Sequence, residues 1–166
     1  AHNLSVLALS HHPRRDVFQH KTVTLENRPR HFENASGMLF YLSRIFRALY
    51  LAYRAKKFRA NLAIIDSGSS EYFALFAFWV LRIPIVINFH NTLWPNGFPN
   101  ASTIRRFARK LDGLFFKYCV AATIGVSPEC GRQVRKLAGY NIPYFDYRSQ
   151  FKRGDYRKDK KANATF

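Results

Sequence analysis

Residues 61–92 read NLAIIDSGSSEYFALFAFWVLRIPIVINFHNT, and a strand, a helix and a second strand are written into them in that order. Leu62, Ala63, Ile64 and Ile65 form a short apolar run that stops at Asp66, Ser67 and Gly68, a polar turn of the kind that ends a buried strand. Ser69 or Ser70 caps the helix that follows, and Glu71 lies near its positive end. The helix runs to about Arg82, where Ile83-Pro84 breaks it. Residues 85–89, IVINF, do not alternate, and Ile85, Val86 and Ile87 are β-branched, as a strand covered on both faces requires. Two such strands joined by one helix make a parallel crossover. Asp66 and His90 then both fall just past the carboxyl ends of neighbouring strands, the rim where open α/β sheets place their ligands.

The same alternation extends outward. Upstream, residues 2–10 (HNLSVLALS) read as a strand, His11, His12, Pro13, Arg14 and Arg15 as a polar loop, residues 21–25 (KTVTL) as a short strand and residues 26–34 as a basic loop. Residues 36–59 have helical periodicity, with Leu39, Leu42, Ile45, Phe46, Leu49 and Tyr53 on one apolar face and six Arg and Lys elsewhere. Downstream, residues 91–102 are turn-rich and carry Trp94 and Phe98; the loop is read equally as an acceptor wall or membrane-touching lip and as a loop whose Trp caps the core. Residues 103–118 form a helix with Ile104, Phe107, Leu111 and Leu114 inward and Arg105, Arg106, Arg109 and Lys110 on a basic face. Residues 120–126 are a strand. Ser127-Pro128-Glu129 opens a helix that Gly139 ends, and residues 142–145 begin a further strand. The expectation is a three-layer, Rossmann-like α/β domain with a mainly parallel sheet over residues 1–151, incomplete at its start, followed by a basic tail or truncated linker over residues 152–166.

The composition narrows the partners. With 27 Lys plus Arg against 10 Asp plus Glu, the net charge of +17 favours nucleic acid, nucleotide phosphates or an acidic membrane surface. No zinc-finger spacing, aromatic RNA-binding motif or helix-turn-helix pair supports nucleic acid. Residues 72–89 are long enough to cross a bilayer, but Arg82 and Pro84 interrupt them, and a buried helix plus strand is the better reading. Cys119 and Cys130 read as packing thiols in a reducing compartment. His11 and His12 are adjacent and point apart, so no metal set is expected.

His90 is the first candidate for chemistry, because an imidazole at that rim can bond a sugar hydroxyl or a phosphate oxygen. Asp66, Ser67 and Gly68 form a loop suited to oxygen ligands, although capping alone also explains its serines. Asn91, Thr92 and Trp94 follow His90 at the same rim. Ser127 is a helix cap first and a ligand contact second. No Gly-x-Ser-x-Gly elbow and no dinucleotide or P-loop glycine spacing is present.

Four segments in order resemble the N-terminal domain of a family-4-like glycosyltransferase with the two-Rossmann-domain (GT-B) architecture. They are HNLSVLALS, KKFRANLAIIDSGS, LRIPIVINFHNT and CVAATIGVSPECGRQVRKLAG. The resemblance implies that His90 matches the active-cleft histidine and that a first strand with a glycine-rich loop precedes Ala1. It also implies that a C-terminal Rossmann domain or partner subunit supplies most contacts to the nucleotide-sugar. The implied activity is transfer of a sugar from a nucleotide-sugar to a glycan or lipid-linked acceptor, as in cell-envelope polysaccharide synthesis. That activity belongs to the full-length parent, with this chain inactive alone. No cofactor beyond the donor substrate is implied, no metal and no nucleic acid, and the location is cytoplasmic, peripheral at the inner membrane face. The alternative is a non-catalytic α/β binding or partner-subunit domain.

Overall fold

A computed structural model describes residues 4–11, 16–28, 36–66, 71–94 and 102–147. Along these residues run β1 (Val6–His11), β2 (Val17–His20), β3 (Val23–Arg28), α1 (Gly37–Phe58) and β4 (Ala63–Asp66). A 3-10 turn (Tyr72–Leu75) then leads into α2 (Phe76–Val80), followed by β5 (Ile85–Phe89), α3 (Thr103–Cys119), β6 (Val120–Gly125), α4 (Pro128–Ala138) and β7 (Tyr144–Asp146). Strands β4, β5, β6 and β7 stand side by side in that order and all are parallel. The fold is therefore mixed α/β with a Rossmann-like parallel sheet flanked by helices. Strands β1, β3 and β2 form a second sheet in the order β1-β3-β2, with β1 parallel to β3 and β2 antiparallel to it. Among the described residues no backbone hydrogen bond joins β1 to β4.

The core lies on one face of the four-stranded sheet. Ile85, Ile87 and Phe89, alternate residues of β5, are fully buried under Phe78 of α2, Phe115 and Phe116 of α3, and Cys130 and Val134 of α4. Tyr72 and Phe116 meet edge to face, and both rings reach Phe89. The opposite face presents Ile64 and Phe145, which are 64% and 62% exposed. Helices α3 and α4 pack at Gly113, where a Cβ would lie 2.5 Å from the Leu137 carbonyl oxygen. No helix among the described residues is long and apolar enough to cross a membrane, and residues 72–89 divide into a 3-10 turn, a five-residue helix and a strand.

Several expectations are corrected. Ser69 and Ser70, expected to cap the helix after β4, lie outside the described residues; Glu71 holds the N-cap position of the 3-10 turn and makes no side-chain cap bond. Asp112, from the middle of α3, accepts the backbone N–H groups of Tyr72 and of Phe73 (2.8 Å), satisfying donors the helix end leaves open. The helix stops at Val80 rather than Arg82, whose φ of 56° lies in the left-handed region. Residues 26–28 continue β3 instead of opening a loop, and Glu26 is buried against Arg54 of α1.

Two helix faces are also the reverse of those expected. On α1 the large residues Leu39, Leu42, Ile45, Phe46, Leu49 and Tyr53 are exposed, while Ala48 and Ala52 are buried. Small side chains let α1 approach its neighbours closely, which leaves the bulky stripe outside. On α3, Ile104, Phe107 and Leu114 are exposed and Leu111 is half-buried; Ala108, Asp112, Phe115, Phe116 and Cys119 face in. The cysteines are free and buried, and burial pushes each thiol up to about 11. The basic segment 152–166 lies outside the described residues.

Asp112 makes stability depend on pH. Burial raises its carboxyl to about 7, against the pull of the two backbone N–H bonds, with the Glu71 charge adding a smaller upward push. Its folded value thus exceeds the ordinary value of about 4. Between the two, the folded state keeps a proton that the unfolded state has lost. Stability from this group is therefore full below pH ~4, falls as pH rises to ~7, and is level above. Urea unfolding from pH 4 to 8 is expected to show that decline. Asp112→Asn, which stays neutral and can still accept the N–H bonds, is expected to remove a part on the order of 2–4 kcal/mol; an unchanged slope would reject this role.

Candidate functional site

The register places the polar residues. Asp66, the last residue of β4, pairs with Asn88 of β5, and Asn88 stands opposite Ile124 of β6, which pairs with Phe145 of β7. Paired residues in a parallel sheet project to one face, as do residues two apart on a strand. Asp66, Asn88, His90 and Tyr147 therefore share the face opposite the helical layer, at the carboxyl rim.

Their side chains meet. Asn88 Nδ2 donates to Asp66 Oδ1 at 2.9 Å, and His90 Nε2 lies 3.1 Å from the same oxygen. A carboxylate oxygen only accepts, so this contact assigns the proton to Nε2. Nδ1 is then the acceptor, and the Tyr147 hydroxyl lies 3.4 Å from it. Asn88 Nδ2 also lies 3.3 Å from Nε2, in the geometry of two donors converging on one carboxylate oxygen. The His90 and Asp66 side chains are 55% and 70% exposed, so the cluster is open to an incoming ligand. An imidazole oriented by a carboxylate through one nitrogen can accept a hydrogen bond or a proton from a hydroxyl group at the other.

A cleft of about 620 Å³ opens on the helical side of the rim. The starts of α1 and α3 border it with Ser36, Gly37, Ser102 and Arg105, and Trp94, Glu71, Arg109 and Asp112 complete the polar lining. The Arg109 guanidinium lies 5.6 Å from the centre of the Trp94 ring. Neither Ser36 nor Ser102 uses its hydroxyl to cap its helix. Two helix N-termini and two arginines make this cleft suited to an anionic group. His90 and Asp66 do not line it.

The expected site residues therefore separate. Asp66 and His90 are joined directly. Ser67 and Gly68 lie outside the described residues. The helix end that follows them has its Tyr72 and Phe73 N–H groups on Asp112, so they are already engaged and not offered to a ligand. Asn91 has an exposed side chain, and its carbonyl accepts from Cys130 Sγ at 3.7 Å; Thr92 is half-buried. Trp94 belongs to the cleft. Ser127 Oγ accepts the Cys130 N–H at 3.3 Å and acts as the cap of α4.

Sequence reasoning missed Asn88, Tyr147 and Gln133. Asn88 is the sole polar residue of the IVINF strand, and that was its signal. Tyr147 carries no local signal; only the pairing of β7 with β6 brings it to His90. Buried Gln133 accepts from Trp94 N–H at 3.0 Å and donates to the Trp94 carbonyl at 2.9 Å, so α4 holds the loop that follows His90.

Fold and rim together define a class, a Rossmann-like α/β domain presenting a His-Asp-Asn-Tyr cluster where its parallel strands end. Comparison with protein-family models, with curated proteins and with solved structures finds no match for this chain.

Proposed function

We propose that the chain is the acceptor-side domain of a GT-B-type, family-4-like glycosyltransferase that moves a sugar from a nucleotide-sugar to a glycan or lipid-linked acceptor. The observation that carries this reading is the His90 ring, held by Asp66 at the carboxyl end of β5, where the family resemblance puts its cleft histidine. Asp66 fixes the tautomer. Nδ1 then receives a hydroxyl of the transferred sugar, displacing the long contact to Tyr147. Positioning of this kind, with charge placed at the reacting centre, is the main service such a domain gives to group transfer. A C-terminal Rossmann domain or a partner subunit completes the donor side, and no metal or further cofactor is invoked.

The cleft supports an acceptor that carries an anionic group, because Arg105, Arg109 and two helix starts converge there. Beside it, Leu39 and Phe46 on α1 and Ile104 and Phe107 on α3 are between 62% and 69% exposed, close in sequence to arginines. Apolar side chains flanked by cations are the chemistry of helices that lie on an acidic bilayer. In this reading the domain works in the cytoplasm, peripheral at the inner face of the membrane. A non-catalytic partner-subunit role is the second reading, favoured by the outer edges of β1 and β4, which pair with no other strand among the described residues.

Nucleotide release by the full-length protein, measured over a panel of nucleotide-sugars with candidate acceptors, tests the enzymatic reading. His90→Ala is expected to lower kcat/KM by about 10²–10³-fold and Asp66→Asn by about tenfold. Full activity in His90→Ala would overturn the assignment, and no release with any sugar would favour the partner-subunit reading. For the membrane, sedimentation with vesicles containing acidic lipid is expected to carry down more protein than neutral vesicles do, with the difference reduced by 0.5 M salt. Equal sedimentation with both would reject the peripheral location.

A further inference from the structure

The cleft between the starts of α1 and α3 has a buried acid in its wall. Asp112 lines it with only 6% of the residue exposed, and Arg109 and Arg105, one and two turns earlier on the same helix, line it nearer the helix start. The two oxygens of this carboxyl group differ. Oδ1 accepts the backbone N–H groups of both Tyr72 and Phe73, whereas Oδ2 has no hydrogen-bond partner among the described residues. Two donors converging on Oδ1 leave no place there for a third hydrogen, so the neutral acid carries its proton on Oδ2. A carboxylic acid kept neutral by its surroundings becomes a hydrogen-bond donor, which a carboxylate never is.

The surroundings keep the proton in place up to neutral pH. Burial carries the Asp112 carboxyl to about 7, against the pull of the two N–H bonds, and the Glu71 charge adds a smaller upward push. Tyr72, from the turn that Asp112 holds, is raised by its own burial first and by the Asp112 charge second, so it stays a phenol. Cys130 of α4, on the far side of Tyr72, is pushed up to about 11 by burial and stays a thiol. Tyr41 of α1 lines the same cleft, and Arg105 and Arg109 supply its fixed positive charge. His90, on the other face of the sheet, does not line it.

We propose that the cleft binds a tetrahedral oxyanion of the phosphate type, with Arg105 and Arg109 supplying the charge and the Asp112 carboxylic acid donating a hydrogen bond from Oδ2. A hydroxyl donor on a charged oxygen makes a strong bond, whereas a carboxylate in the same place repels the anion. The bound anion therefore holds the proton on Asp112, and binding is linked to pH. Affinity is full below pH ~7 and falls about tenfold for each pH unit above it. The proposal rests on the reading of the cleft as an anion site, and not on sugar transfer by the domain.

The test titrates the full-length protein with sulfate, whose own charge is constant from about pH 5.5 to 8.5, and reads binding from the amide NMR shifts of Tyr72, Phe73 and Trp94. The dissociation constant is expected to rise by about 10–30-fold across that range. Asp112→Asn still accepts the two N–H bonds at Oδ1 and donates from Nδ2. It is expected to keep the low-pH affinity to within about threefold and to lose the pH dependence. A dissociation constant that does not change with pH, or an equally steep dependence in Asp112→Asn, would overturn the proposal. So would undiminished binding when Arg105→Ala and Arg109→Ala are combined, which would put the anion elsewhere on this cationic chain. If Asp112→Asn does not fold, carbon-13 NMR of the Asp112 carboxyl in the unmodified protein decides. Saturating sulfate is expected to move its titration midpoint to higher pH by about 1, and a midpoint unmoved or lowered would contradict the proposal. Sulfate binding linked to pH in a protein that releases no nucleotide would support this site and count against the transferase reading alone.

Discussion

The register between β4 and β5 is the constraint on which the molecule depends. Pairing Asp66 with Asn88 puts Ile85, Ile87 and Phe89 on the helical side and sends Asn88 and His90 to the other. A slip of one residue would exchange the two sets, burying a carboxylate and an imidazole and exposing three large apolar side chains. The hydrophobic core and the polar cluster are thus fixed by one choice. Burying Phe89 beneath Phe116 and Tyr72 is what holds His90, the next residue, at the rim.

A second constraint runs through buried polar groups that tie distant segments together. Asp112 holds the start of the turn after β4 from 40 residues away, and Gln133 holds the loop after β5 from 39 residues away. Both loops flank the carboxyl rim, so α3 and α4 act as supports for the segments that carry Glu71 and Trp94. The Tyr144 ring does similar work below the rim. It closes against Gly125 and Gly131, and its hydroxyl donates to the Ser127 carbonyl. Placing rim loops on buried hydrogen bonds gives them the order that a positioned imidazole needs.

The sequence made some of this legible. The IVINF run gave β5 its bounds, and Ser127-Pro128-Glu129 with Gly139 marked both ends of α4, because those signals are local: β-branched packing, a cap, a fixed φ and a left-handed terminus. Asp66 and His90 were placed at a common rim by the same local reasoning, and their side chains do meet there. What failed was non-local. Apolar periodicity marked a stripe on α1, but Ala48 and Ala52 decide which side of that helix packs. The N–H groups at the 3-10 start are held by Asp112, about forty residues further along the chain. Tyr147 reaches His90 only through sheet pairing, and the gathering of β1, β3 and β2 into a sheet of their own is a property of topology that no window of residues carries.

The central claim, that Asp66 holds the His90 ring with the proton on Nε2, is tested most directly by nitrogen-15 NMR of the histidine ring in the full-length protein. At a pH where the imidazole is neutral, the account predicts the Nε2–H tautomer for His90, with that preference weakened in Asp66→Asn. A His90 ring found as the Nδ1–H tautomer, or one whose tautomer balance is unmoved by Asp66→Asn, would contradict it.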